Sequence, residues 1–265
     1  MSALTRNNVQ VHGVEDGQPM LFAHGFGCDQ NMWRFVWPAF ADDYRVVVFD
    51  HVGAGRSDAA AFDPDRYSSL RGYADDVLEI CEELDLRDVV FVGHSVASMM
   101  GVLAAAERPE RFARLVLVGP SPRYIDADGY VGGFSRDDID ELLESLESNY
   151  LGWSRAMAPV IMGNADRPEL GDELTNSFCQ SDPDIARQFA RTVFLSDNRD
   201  DLERVPTPTL VLQCSEDAIA PRAVGEFVAE RLPQGTLTVL DATGHCPNLS
   251  APEETIAAIK TFLAE

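Results

Sequence analysis

Lysine is nearly missing from this chain of 265 residues: Lys260 is the only one among 21 basic residues, which face 44 acidic ones for a formal charge of −23 at pH 7. Polyanions are gripped by clustered Lys and Arg, and no such cluster stands in the sequence, which speaks against nucleic acid and anionic membrane as partners. Long apolar runs are missing too. No stretch approaches the roughly 20 residues of a membrane span, and Met1–Arg6 lacks the apolar core of a signal peptide. The expected location is the cytoplasm. The five cysteines, Cys28, Cys81, Cys179, Cys214 and Cys246, are odd in number and scattered, with no C-x-x-C pair. They argue against a disulfide framework and a zinc site, and read as small apolar residues. Nucleotide fingerprints and H-E-x-x-H are also lacking, so neither a cofactor nor a metal is expected. The shortage of lysine itself has two readings. An Asp-rich, Lys-poor surface keeps a protein soluble in concentrated salt, where self-repulsion is screened; a GC-rich codon bias yields the same Arg to Lys ratio.

What is present is a large apolar share, 45%, arranged in short runs. Val9–Val11, Met20–Ala23, Tyr44–Asp50, Val89–Gly93, Leu115–Gly119, Thr209–Cys214 and Thr236–Leu240 read as strands. Several are apolar at successive positions, as suits a parallel sheet covered on both faces. Helical patterns alternate with them. Leu70–Leu86 sets Tyr73, Val77, Ile80, Cys81 and Leu84 at spacings of three and four; Val96–Arg108, Arg222–Arg231 and Pro252–Leu263 follow suit. The fold class is α/β, a mostly parallel doubly wound sheet. From Ser121 to Arg204 no strand-like run occurs. Helical stretches near Arg136–Asn149, Leu151–Met162, Pro168–Cys179 and Pro183–Leu195 stand there instead, behind the Gly-rich break Gly129–Gly133. The reading is a core of residues 1–120 and 206–265 with a helical lid, 121–205, inserted.

The strand Val89–Val92 runs into Gly93-His-Ser-Val-Ala97 and then a helix. This is the context of a nucleophile elbow, with Ala97 in the last place of G-x-S-x-G. A lone serine there would equally serve as a helix N-cap. A serine nucleophile needs a base, and the base an acid, in the chain order Ser, acid, His for this fold class. Asp217 follows the strand Thr209–Cys214 and His245 follows Thr236–Leu240, so both fall beyond the carboxyl ends of strands, where such sheets carry their sites. Ser95, Asp217 and His245 are therefore the candidate catalytic set, with Glu216 and Asp241 as fallback acids. An oxyanion needs donors. The N–H of Val96, next to the serine, and that of Phe26 in His24-Gly-Phe-Gly27 are the candidates, with the Phe26 ring at the pocket mouth. His24, His94 and His51 read as structural, Asp50 as a hydrogen-bonding brace, and His12 as surface.

With these motifs the sequence resembles the α/β-hydrolase superfamily. The strings HGFGCDQNMW (24–33), FDHVGAGRSD (49–58), GHSVASMMG (93–101), VGPSPRY (118–124), DPDIARQFA (182–190), LQCSEDAIAP (212–221) and GHCPNLSAPEETI (244–256) are similar to its RsbQ-like branch. That branch holds bacterial hydrolases that help switch on a stress sigma factor, together with the plant strigolactone and karrikin receptors. The resemblance implies the triad Ser95, Asp217, His245 and a lid of four helices over a small hydrophobic pocket. It places Phe26, Val96, Phe134, Trp153 and Phe194 on the pocket walls. It also implies a signalling partner, a PAS-domain phosphatase, expected to dock on the exposed lid face near Asp137–Glu147. Trp153 and Phe194 are expected to touch the ligand, Phe178 and Phe189 to form lid core. The expected activity is hydrolysis of a small hydrophobic ester or lactone-like compound. A ligand-binding switch with single-turnover hydrolysis and a metabolic esterase or perhydrolase are the competing readings.

Overall fold

A computed structural model describes residues 1–265. A one-turn helix, α1 (Ala3–Arg6), leads into strands β1 (Gln10–Gly13), β2 (Gln18–Ala23) and β3 (Tyr44–Val48). Helix α2 (Leu70–Glu83), strand β4 (Val89–His94), helix α3 (Val96–Glu107) and strand β5 (Phe112–Val118) follow. Four helices come next without a strand between them: α4 (Arg136–Ser148), α5 (Tyr150–Met162), α6 (Pro168–Gln180) and α7 (Pro183–Phe194). The chain then forms β6 (Thr209–Glu216), α8 (Arg222–Arg231), β7 (Gly235–Thr243), α9 (Pro247–Ser250) and α10 (Pro252–Leu263).

The seven strands form one sheet in the order β1-β3-β2-β4-β5-β6-β7. β1 runs antiparallel to β3 at one edge, and every other pairing is parallel. Parallel strands need helical crossovers, and helices on both faces bury the sheet, which is why the apolar runs do not alternate. Every residue of β4 is buried. α3 behind it is apolar nearly all round and buried along most of its length, as a central helix must be. α2 stops at Glu83 rather than at Leu86. Asp85 takes a left-handed φ of 49°, and the N–H groups of Asp85 and Leu86 turn back to the carbonyls of Glu82 and Cys81. This is a Schellman ending with Asp in the place glycine usually holds, a substitution the helical periodicity does not reveal.

Between β5 and the lid helices, the Gly-rich break is tied down by Asp126, whose carboxylate accepts from the N–H groups of Gly132 and Gly133 at 2.7 and 3.0 Å. α4 opens with a reciprocal capping box, Ser135 with Asp138. The apolar faces of α4–α7 belong to the same hydrophobic cluster as the sheet: Ile139, Trp153, Phe178 and Phe189 share it with Phe22 and Val92. The helices thus roof the carboxyl ends of the strands, where both the serine turn and the histidine loop emerge.

Candidate active site

Ser95 turns the chain from β4 into α3 at φ 55°, ψ −124°. A residue with a Cβ holds that backbone only when its surroundings impose it, at a cost of about 1–3 kcal/mol. The Ser95 N–H donates to the Val118 carbonyl at 2.8 Å, and the Ser98 hydroxyl donates to the Gly93 carbonyl at 2.9 Å. Gly93 has to be glycine, since a Cβ there would stand 2.7 Å from the Ala97 carbonyl oxygen. Ala97 itself is fully buried, so its methyl fits the strand–helix contact.

The turn delivers the serine hydroxyl to a histidine from 150 residues further on. Ser95 Oγ–H donates to His245 Nε2 at 2.8 Å, and His245 Nδ1–H donates to Asp217 Oδ2 at 2.8 Å. The Asp217 side chain is wholly buried. Its second oxygen accepts from the N–H groups of Ile219 and Ala220 at 2.8 and 3.0 Å. Burial pushes this carboxyl up, but the His245 imidazole and the hydrogen bonds more than offset it, leaving the group below the ordinary carboxylate value. Glu216 and Asp241 are exposed, and neither is bonded to His245. His94 does more than pad the strand. Its Nε2–H donates to the His245 carbonyl at 2.8 Å, and burial lowers its pKa to about 3, so it stays neutral.

The loop after β2 is braced by a histidine pair. His24 Nε2 accepts from the His51 N–H at 3.0 Å, and His51 Nε2–H donates to the His24 carbonyl at 2.9 Å. Asp50 accepts from the Gln30 and Arg56 N–H groups and from the Asn8 side chain. The loop passes so close to the serine turn that a Cβ on Gly25 would stand 3.2 Å from Ser95 Cβ. The Phe26 N–H next to it has no acceptor in the protein, and the Val96 N–H opens α3, where a helix leaves its donors free. His12, read as surface, is half-buried and stacks on Trp37 with ring centroids 4.5 Å apart.

Above Ser95 lies a cavity of about 40 Å³, lined by 16 residues of which 13 are hydrophobic. Three larger grooves, of about 610, 530 and 320 Å³, are polar surface features, and neither Ser95 nor His245 borders them. Phe26, Trp153 and Phe194 line the cavity. Phe134 and Val96 do not: Phe134 is held aside by backbone pairing with Tyr124 and Asp126, and Val96 is buried under the turn. Phe178, expected in the lid core, lines the cavity. Gly27 makes room for it, since a Cβ there would meet the Phe178 ring at 1.8 Å. Phe189 packs instead on Tyr73 and Phe26, off the cavity. Sequence reasoning passed over Tyr124, the one phenol on the wall. Burial raises it to about 12, and hydrogen bonding to Ser95 opposes that rise. Its place just after β5, in the string 118–124, was the available signal.

Comparison with known proteins agrees with this topology. A family model described as "Alpha/beta hydrolase family" matches residues 20–258. The strigolactone esterase D14 of Arabidopsis thaliana is 40% identical over 248 residues, covering 93% of this chain and 92% of that one. The karrikin insensitive 2 receptor IA of Petunia hybrida is 40% identical over 241 residues, covering 91% and 88%. Among solved structures, a hydrolase from Oleispira antarctica superposes with a TM-score of 0.96 at 41% identity, covering 99% of this chain and 96% of that one. With the sheet order, the elbow backbone and the family match in accord, the chain belongs to the alpha/beta hydrolase family.

Proposed function

We propose that this protein is a serine hydrolase that cleaves a small hydrophobic ester or lactone-like compound. The observation that carries the reading is the hydrogen-bonded run Ser95–His245–Asp217 opening on an apolar cavity. In this scheme Ser95 Oγ attacks the ester carbonyl carbon while His245 Nε2 takes its proton. Asp217 holds the Nδ1–H tautomer and stabilises the imidazolium. The Val96 and Phe26 N–H groups stabilise the oxyanion. The C–O bond to the alcohol breaks as His245 returns the proton to it. A water, deprotonated by the same imidazole, attacks the acyl-serine, and the acid leaves with Ser95 restored. Aromatic and aliphatic walls favour an apolar substrate. No helix is long and apolar enough to cross a membrane.

The biological output on this reading is a signal. Relatives named as a strigolactone esterase and a karrikin receptor support it. The RsbQ-like resemblance adds a partner docking on the lid, a PAS-domain phosphatase in the bacterial case, and stress sigma-factor control. A second reading, a receptor that hydrolyses once and keeps its product, is favoured by the cavity itself. About 40 Å³ holds on the order of three waters, so a product of several heavy atoms would sit tightly against its walls. The two separate by kinetics with p-nitrophenyl acetate. The hydrolase should turn over many times and the receptor should stop after one equivalent. Ser95→Ala should abolish nitrophenolate release while leaving the circular dichroism spectrum unchanged, and phenylmethylsulfonyl fluoride should add one adduct to the Ser95 peptide. Wild-type turnover in Ser95→Ala sinks the assignment.

A further inference from the structure

The catalytic-candidate histidine is held at four points, and one of them is the lid. Its ring is fixed by Asp217 and Ser95, and its carbonyl accepts from His94 Nε2–H. Its own N–H donates at 2.8 Å to the carbonyl of Ile161, in the last turn of α5. Carbonyls in the last turn of a helix have no partner within it, so this one is free to be spent on His245. The contact between the helix end and the histidine loop is intimate. A Cβ on Gly244 would lie 1.9 Å from the Met162 carbonyl oxygen, and one on Gly163 would lie 3.0 Å from Thr243 Cγ2.

Asn164 closes this joint. Its backbone is left-handed, φ 52°. Its amide Nδ2 donates at 2.8 Å both to the Met162 carbonyl at the end of α5 and to the Thr243 carbonyl, two residues before His245. Its Oδ1 accepts from the Arg167 guanidinium, which also donates to the Ser250 carbonyl at 2.8 Å on the far side of the histidine loop. One side chain therefore ties the lid helix to the strand end that presents the imidazole.

We propose that Asn164 is a positioning residue for His245, and that the end of α5 makes lid position and competence of the base one coupled state. The proposal rests on the serine-hydrolase reading. When α5 is seated, the Ile161 carbonyl and the Asn164 amide fix the His245 backbone, and the imidazole stays in line with Ser95 Oγ. When it lifts, the N–H loses its partner, the Thr243 carbonyl loses the Asn164 amide, and the ring loses its alignment. Opening for substrate or product thus disarms the base, and closing restores it.

The test uses the full chain with Asn164→Gly, which keeps the left-handed backbone and removes the amide. Asn164→Asp is the second variant, matched in shape but without the donor. Arg191→Gln is the control: it breaks the exposed ion pair with Glu147, joining α7 to α4 away from this joint. Both Asn164 variants should lose about ten- to a hundredfold in kcat on p-nitrophenyl acetate, as misplacement of a catalytic group by about 1 Å does. KM should stay within about twofold in the same variants, since Asn164 itself does not line the cavity, and Arg191→Gln should match wild type. Proton NMR gives a readout independent of activity: the downfield His245 Nδ1–H resonance should broaden by solvent exchange in both Asn164 variants and stay sharp in the control. Wild-type kcat with a sharp Nδ1–H in Asn164→Gly overturns the proposal, as does an equal loss in Arg191→Gln. Failure of the hydrolase reading would show differently, as turnover insensitive to Ser95→Ala, and the resonance would still report on the joint.

Discussion

Ser95 concentrates in one residue the strain that the strand-to-helix turn demands, and Gly93 two residues before it is glycine because a Cβ there would meet the Ala97 carbonyl. The chemistry assigned to it depends on charge placed two residues deep. Asp217→Asn should cut turnover by about four powers of ten, because an amide neither stabilises the imidazolium nor holds the productive tautomer. Steady-state kinetics at saturating ester measures this. Glu216→Gln, altering an exposed group that is not bonded to His245, should change the rate less than about threefold, as surface substitutions away from a site do. The reverse ranking would move the acid to Glu216. These side chains were legible in the sequence because each follows an apolar strand, and strand ends in a parallel sheet converge. Tyr124 and the His94 bond to the His245 carbonyl were not, since no periodicity announces which loop residue folds back over a turn.

Among the elements, the lid helices carry the least predictable contacts. Their existence follows from capping residues and spacing, as at Ser135 and Asp182, whose side chains accept from N–H groups of α4 and α7. Which aromatic faces the cavity depends on how four helices rotate against each other: Phe178 lines it, and Phe134, half-buried, stands off it. Trp153 meets Phe26 edge-on, with centroids 6.1 Å apart, and Phe178 in the same manner at 5.3 Å. Aromatic side chains bury about 150–250 Å² each, so Trp153→Ala should open the cavity and raise activity on butanoyl and hexanoyl esters relative to acetate. An unchanged acyl-length profile would take Trp153 off the substrate's path. Gly27→Ala, with φ 70° and the Phe178 ring in its way, should displace α6 and lower thermal stability by about 1–3 kcal/mol. A melting temperature equal to wild type would show that α6 accommodates the methyl.

The whole molecule carries two liabilities that pH and salt expose. His24, His51 and His94 are buried and, chiefly through desolvation, held below the ordinary histidine value of 6.5. As pH falls, the unfolded chain takes up their protons before the folded one does. Stability is therefore complete above about pH 6.5 and is lost as pH falls toward the folded values, about 3 for His94. Each such proton contributes about 1.4 kcal/mol per pH unit. Urea midpoints should fall steeply from pH 7 to 5, and a midpoint flat over that range would show the histidines protonated in the fold. The charge of −23 acts the other way with salt. At 1 M the Debye length is about 3 Å, so self-repulsion should vanish and the melting temperature rise with activity retained. Loss of activity in molar salt would remove the salt-adapted reading and leave codon bias as the source of the Arg excess.

Sequence alone determined the layer order and the chemical cast. Apolar runs too continuous for a one-faced sheet require helices on both sides, and Gly93-His-Ser-Val-Ala97 between a strand and a helix requires a tight elbow. Both are local demands of backbone sterics and burial, so they can be read from neighbours in the chain. Tertiary structure alone decided what meets across it: that Phe178 walls the cavity, and that a carbonyl of α5 holds the N–H of His245. Those choices depend on rotation of packed elements by fractions of a turn, and on which orphaned helix-end carbonyl finds which donor. No window of sequence contains both partners.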